Sequence, residues 1–141
     1  MTVPLTKPAD LTPGAALRAY AAMVNTLDPS RLAPYLADNF HYASQAVFAE
    51  IESKSEYLAY IHSKFETLRE MAPGYVVRAQ IGRFAHALDD ETGDRCVIVE
   101  QDGKVVANVL VRVADGLIKR LDMCTVAPAP GSAIPMGDYP V

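Results

Sequence analysis

The stretch that decides the fold is residues 95–126, RCVIVEQDGKVVANVLVRVADGLIKRLDMCTV. It holds three runs rich in β-branched and apolar residues, separated by the pairs Asp102-Gly103 and Asp115-Gly116. A glycine in such a pair adopts the positive φ that a two-residue hairpin turn requires. A similar run, YVVRAQIGRFAHAL at 75–88, comes before it, across the turn-forming segment 89–94. The pattern therefore predicts a meander of four antiparallel strands.

Gly82 lies in the middle of the first and longest of these runs. A glycine inside a strand has no side chain to pack, and it often marks a bulge or a bend. We therefore predict a bulge or bend at Gly82 that lets the sheet curl.

Upstream of the meander, apolar residues recur at three- and four-residue spacings, which is typical of helices. Thr12 is a natural N-cap and Pro13 suits the first helical position, so a first helix begins there. A second start signal at Asp28 and Pro29 predicts a short second helix that ends near residues 37–39. These two helices form a tight pair.

Residues 40–45, FHYASQ, alternate between two faces with the period of a half-buried strand. Ser53 with Glu56 three residues later then forms a capping box, and a long third helix follows with an apolar stripe. The APG sequence at 72–74 ends this helix. The predicted fold is therefore α+β, with three N-terminal helices packed on a curved antiparallel sheet.

Bulk composition limits the classes of partner. The chain has 141 residues, of which 50% are hydrophobic and 21% charged, which suits one domain. Its net charge is −4 and its basic residues are scattered, so we expect neither a nucleic acid nor a membrane partner. No apolar leader or membrane-length run is present, and a cytoplasmic location is expected. Cys96 and Cys124 lie in strand-like runs and are expected to be buried thiols.

Three segments resemble the nuclear transport factor 2-like superfamily, which includes ketosteroid isomerases and SnoaL-like polyketide cyclases. They are LRAYAAMVNTLDPSRLAPYLADNF (17–40), IESKSEYLAYI (51–61) and DGLIKRLDMCTVAP (115–128). The resemblance implies a cystatin-like cone roll with an internal cavity. It also implies a single SnoaL-like domain over residues 1–128, followed by a Pro/Gly-rich tail over 129–141.

The resemblance also suggests where to look for chemistry. Tyr20 occupies the position at which ketosteroid isomerase-like members use a tyrosine as an oxyanion donor, a role that suits a buried phenol. Those members carry a general-base carboxylate near the position of Ser44, and a second acid near Asn108 or Val109. Serine does not accept a proton at neutral pH without a separate base, so this departure argues against steroid-type isomerisation.

The remaining candidates follow from strand alternation. Tyr42 and Ser44 share the parity of Phe40 and are predicted to line the pocket, whereas His41 is either a general base or an outward residue. Asp122 is either a cavity acid or half of a surface ion pair with an arginine such as Arg120. The predicted catalytic residues are Tyr20, His41 and Asp122, and the predicted substrate-binding residues are Tyr42, Ser44, Gln45, Leu121 and Met123.

No metal or cofactor site is predicted, because His41, His62 and His86 share no ligand spacing and no glycine-rich phosphate loop is present. The expected function is binding of a small apolar molecule, with cofactor-independent isomerase, cyclase or lyase chemistry as the enzymatic form. The alternative is a non-catalytic ligand-binding or protein-interaction module. A homodimer through the outer sheet face is expected in either case, with contacts from Val106, Asn108, Leu110 and Cys124.

Overall fold

Three helical segments precede the meander in the computed structural model, which describes residues 11–47, 49–90 and 92–141. The helices are α1 (Pro13–Thr26), two consecutive 3₁₀ turns (Pro29–Arg31 and Ala33–Tyr35) and α2 (Lys54–Met71). The strands are β1 (Leu36–Ser44), β2 (Val77–Arg83), β3 (Arg95–Gln101), β4 (Lys104–Ala114), β5 (Leu117–Cys124) and β6 (Ile134–Pro135).

Both long helices begin where the capping signals place them. The Thr12 side chain accepts a hydrogen bond from the Ala15 amide at 3.1 Å, and the Ser53 hydroxyl accepts one from the Glu56 amide at 3.2 Å. The predicted second helix consists of the two 3₁₀ turns and stops at Tyr35. Residues 37–39 therefore belong to β1, which begins before the alternating stretch that predicted it.

The sheet has the strand order β1-β5-β4-β3-β2-β6. Strands β2 to β5 form the predicted antiparallel meander. Its two tight turns have positive φ at Asp102 and Gly103 and at Asp115 and Gly116, as type I′ turns require. Strand β1 pairs with β5 in parallel, so the complete sheet is mixed. Between β1 and β5 the chain passes through α2 and strands β2 to β4. This long connection lets β5 lie beside β1 with both strands running in the same direction.

The curl of the sheet coincides with irregularities that the sequence did not reveal. The register shifts between Val99 and Glu100 opposite β4, and between Arg112 and Val113 opposite β5. The bulge predicted at Gly82 is wrong, because the β2–β3 register continues through it. A Cβ there would lie 2.5 Å from Cδ1 of Ile98, so Gly82 instead admits a close side-chain approach.

The main core lies between α1, α2 and the concave face of the sheet. A second apolar cluster on the opposite, outer face contains Phe84, Cys96, Ile98 and Ala133. Ala133 belongs to the segment 129–141, which crosses this outer face and contributes β6. None of the described helices is both long enough and apolar enough to cross a bilayer.

Two buried polar side chains of the sheet, Asn108 and Glu100, hold the C-terminal segment on the outer face. The Asn108 amide donates to the backbone carbonyls of Pro128 and Ala129, at 3.3 and 3.0 Å. The Tyr139 hydroxyl donates to the carboxylate of Glu100 at 2.9 Å. The segment therefore covers part of the face through which the homodimer is predicted, and that homodimer stays a prediction.

Candidate functional site

A cavity of about 150 Å³ lies between α2, α1 and the concave face of the sheet. Most of its described wall is aliphatic or aromatic. A cavity of about this volume in another protein holds a benzene molecule, so a ligand fully enclosed here is about the size of one ring. The apolar wall consists of Val24, Ile61, Phe65, Leu68, Val77, Val99, Val106, Ala107 and Met123.

Four tyrosines from different parts of the chain meet at this cavity. Tyr20 comes from α1, Tyr42 from β1 and Tyr57 from α2, while Tyr75 precedes β2. The first three are 2%, 4% and 0% exposed. The ring of Tyr57 packs against those of Tyr42 and Phe40, with centroid distances of 5.2 Å and 4.9 Å. The cavity therefore has an aromatic wall, held in place by ring contacts between helix and sheet.

One buried hydroxyl of this wall lacks a hydrogen-bond partner in the described chain. The Tyr57 hydroxyl is buried and has no hydrogen-bond partner within the described chain. The Tyr42 hydroxyl donates to the sulfur of Met123 at 3.6 Å, and a thioether is a weak acceptor. An unsatisfied buried hydroxyl costs about 1–3 kcal/mol, and an acceptor on a ligand would recover part of that cost.

The protonation state of the tyrosines follows from their burial. Loss of solvent raises the pKa of Tyr20, Tyr42 and Tyr57 well above the ordinary value for tyrosine, and the neighbouring phenols raise it further. All three are therefore protonated at neutral pH. They can donate a hydrogen bond to a ligand, but they cannot act there as general bases.

The remaining polar groups of the described wall are Lys64, Gln101 and Thr125. Lys64 is exposed and the other two are half-buried. No aspartate, glutamate or histidine is among the described lining residues. The described wall therefore presents neutral groups that can donate or accept hydrogen bonds, and one cation, without a carboxylate or imidazole to take up a proton.

The structure divides the predicted site residues into two groups. Tyr20, Tyr42 and Met123 lie in the cavity wall. Leu121 faces the same way and is fully buried in the main core, although it does not line the cavity. Ser44, at the end of β1, accepts a hydrogen bond from the Ala46 amide at 3.2 Å and borders a depression outside the cavity.

His41 and Asp122 lie on the outer face. The alternation that points Tyr42 inward points His41 outward, where its Nδ1 lies 3.4 Å from the Glu50 carboxylate. Arg120 donates to Glu50 and to both oxygens of Asp122, each at 3.0 Å. The Arg120 hydrogen bond is also the main cause of the lowered pKa of Glu50. His41 and Asp122 thus belong to one surface ion-pair network and do not meet Tyr20.

Gln45 has a structural partner rather than a place in the cavity wall. Its side-chain oxygen accepts hydrogen bonds from the amides of Val126 and Ala127, at 2.6 and 3.0 Å, and its nitrogen donates to the Ala127 carbonyl at 2.6 Å. These bonds fix the chain where it leaves β5.

One group of described residues has the composition of a metal site. The ligand atoms of His41, Glu50 and Glu52 lie within 4.8 Å of one another at the surface. The guanidinium of Arg120 already occupies one oxygen of Glu50, so a cation would have to displace this contact. The contacts of His41 and Glu50 are therefore those of the surface ion-pair network.

Several cavity residues were missed by sequence reasoning. Tyr57 could have been found, because it lies four residues before Ile61 and continues the helical stripe that leads to Phe65. Val106, assigned to the outer face from its parity, lines the cavity instead. The register shift opposite Val99 reverses the alternation at this point, and that assignment was therefore wrong.

No protein-family model matches the sequence, and no curated protein matches it. Solved structures match in fold. A SnoaL-like protein of unknown function from Burkholderia thailandensis has a TM-score of 0.60 at 12% identity, covering 83% of this chain and 98% of that one. An NTF2-like protein of unknown function from Cytophaga hutchinsonii has a TM-score of 0.54 at 15% identity, covering 84% and 93%. A proposed ketosteroid isomerase from Kribbella flavida has a TM-score of 0.52 at 19% identity, covering 77% and 74%.

At these identities the likeness concerns the fold. The chain has the nuclear transport factor 2-like fold, with SnoaL-like, ketosteroid isomerase-like and cystatin-like neighbours. The resemblance seen in the sequence is confirmed at that level. One fold of this kind supports many unrelated activities, so function has to be argued from the cavity.

Proposed function

We propose that this protein binds a small, mostly apolar molecule of about one ring in the tyrosine-lined cavity, and that the molecule carries a hydrogen-bond acceptor such as a carbonyl oxygen. The observation that carries the proposal is that Tyr57 lines the cavity while its buried hydroxyl has no hydrogen-bond partner in the described chain. A ligand oxygen would supply the missing acceptor.

The composition of the wall supports this ligand class. Apolar side chains surround most of the volume, and burial of a ring against them provides the main attraction. The protonated Tyr57 hydroxyl has no partner in the described chain, so it can donate to an acceptor on the ligand. An unsubstituted hydrocarbon would fill the space but leave Tyr57 unsatisfied.

A cofactor-independent isomerase or lyase is the second candidate. Several protonated phenols around one small cavity are suited to stabilising an oxyanion as it develops. Proton abstraction also needs a base, and the described wall contains neither a carboxylate nor an imidazole. The described wall therefore supports binding better than it supports proton transfer.

The test compares two molecules of nearly the same shape, cyclohexanone and methylenecyclohexane, in NMR titrations. We expect both to bind and the ketone to lose affinity in Tyr57→Phe by about three- to tenfold, the worth of one hydrogen bond. The hydrocarbon should bind Tyr57→Phe as well as it binds the unmodified protein.

Tyr35→Phe is the matched control, because Tyr35 is half-buried on a 3₁₀ turn and does not line the cavity. It should leave both affinities unchanged. Failure of both molecules to bind, or an equal loss for both in Tyr57→Phe, would contradict the proposal.

A further inference from the structure

We propose that the natural ligand is a small ring-containing carboxylate, with its ring inside the cavity and its anionic group at the ammonium of Lys64. This inference rests on the proposed function and names its ligand class. Lys64 is the charged residue among the described lining side chains.

The position of Lys64 on α2 puts it beside the cavity. It lies three residues after Ile61 and four before Leu68, both of which are buried and line the cavity. Residues at these spacings share one face of a helix. The stem of Lys64 therefore starts on the cavity face, while its exposed end stays in contact with solvent.

The charge of Lys64 has no counter-ion in the described structure. The helix positions three and four residues away hold Tyr60, Ile61, Thr67 and Leu68, none of which is acidic. The ammonium lies 5.8 Å from the centre of the Tyr60 ring, and no carboxylate of the described chain pairs with it. Glu66, the nearest acid along the helix, pairs with His62 at 2.9 Å.

The other polar groups of the wall agree with an anionic ligand. The amide of Gln101 and the hydroxyl of Thr125 can donate hydrogen bonds, and the buried tyrosines are held protonated. An anion would meet donors and one positive charge, whereas a cationic ligand would meet Lys64 as a like charge. One lysine matches a ligand with a single negative charge.

The test uses phenylacetate and its neutral amide, phenylacetamide, at low and high ionic strength. Because an exposed ion pair is a weak interaction, we expect phenylacetate to bind about two- to fivefold more tightly at low salt. The preference should shrink at high salt, since solvent ions screen the contact. Lys64→Gln should abolish the preference without weakening phenylacetamide binding.

Lys54→Gln is the matched control, because Lys54 lies on the same helix and does not line the cavity. It should keep the preference for phenylacetate. Equal affinities in the unmodified protein, an unchanged preference in Lys64→Gln, or tighter binding of the cation benzylamine would overturn the inference. In those cases cyclohexanone would still bind if the proposed function is right, whereas no binding of any of these molecules would overturn both proposals.

Discussion

The ring centroids of Tyr42 and Tyr57 lie 5.2 Å apart, and the ring planes meet at 46°. Tyr42 belongs to β1 and Tyr57 to α2. Such a contact adds about 0.5–1.5 kcal/mol to the burial of the two side chains. It joins helix to sheet at the cavity wall, yet the Tyr57 hydroxyl has no partner in the described chain. The ring of Tyr57 therefore contributes packing, whereas its hydroxyl forms no hydrogen bond within the described chain.

Removing only the Tyr57 hydroxyl should separate its effect on stability from that of the ring. We expect Tyr57→Phe to leave the free energy of unfolding unchanged or to raise it by up to about 1 kcal/mol, because no hydrogen bond is lost and a buried polar atom is removed. Chemical denaturation measures the difference. Tyr139→Phe is the contrasting variant, because the Tyr139 hydroxyl donates to Glu100, and it should lose about 1.5 kcal/mol. A clear loss in Tyr57→Phe would show that the hydroxyl has a partner in the folded protein.

The buried tyrosines predict a loss of stability in alkali. Burial raises the pKa of Tyr20, Tyr42 and Tyr57 above the unfolded value of about 10, so the folded chain holds these protons more tightly. Their contribution to stability is complete below about pH 10 and is lost as the pH rises toward the folded pKa values. The free energy of unfolding should therefore fall progressively as the pH rises above about 10.

Tyrosinate absorbance provides an independent measurement of the same effect. While the chain stays folded, fewer than its seven tyrosines should ionise, and the remainder should ionise only as it unfolds. In Tyr57→Phe the fall of stability with pH should be shallower, since one shifted group is gone. Ionisation of all seven before unfolding would contradict the assigned burial.

Two glycine substitutions of the same kind should have opposite effects. At Gly82 an added methyl group would lie 2.5 Å and 2.6 Å from two carbons of Ile98, so Gly82→Ala should cost about 1–3 kcal/mol. At Gly14, in the first turn of α1, nothing lies within 4 Å of the new group. Gly14→Ala should gain about 0.5–1 kcal/mol from the helix preference of alanine. Equal effects in thermal unfolding would show that Ile98 does not approach Gly82.

The outer face predicts the behaviour of the two thiols. Burial raises the pKa of Cys96 to about 12 and that of Cys124 to about 11, so at neutral pH both are protonated and poorly reactive. A thiol reagent should therefore modify the folded protein far more slowly than the unfolded protein. Removing residues 129–141 takes away Ala133, which packs against Cys96, and should speed the reaction. Rapid labelling of the full chain would contradict this cover.

A homodimer through this face is a separate prediction. It was expected from exposed apolar residues on the outer strands, and the C-terminal segment covers part of that surface. The molar mass of the full chain in solution, measured by sedimentation, decides between one copy and two.

Much of the fold could be predicted because its signals are local. Asp102-Gly103 and Asp115-Gly116 specify tight turns through the backbone angles they tolerate, and Thr12 and Ser53 begin helices through bonds to amides three residues away. Together with the change from helical to strand periodicity, these signals determined an α+β fold. Strand alternation also placed Tyr42 inward.

The cavity chemistry was decided by contacts between distant parts of the chain. Parity indicates which residues share a face, but a register shift such as the one opposite Val99 reverses it, and this moved Val106 into the cavity wall. Periodicity also does not say which side chains meet across a helix and a sheet. The Tyr57 hydroxyl has no hydrogen-bond partner as a result of tertiary packing. Its neighbours in the fold exclude water without offering an acceptor, and local sequence does not specify those neighbours.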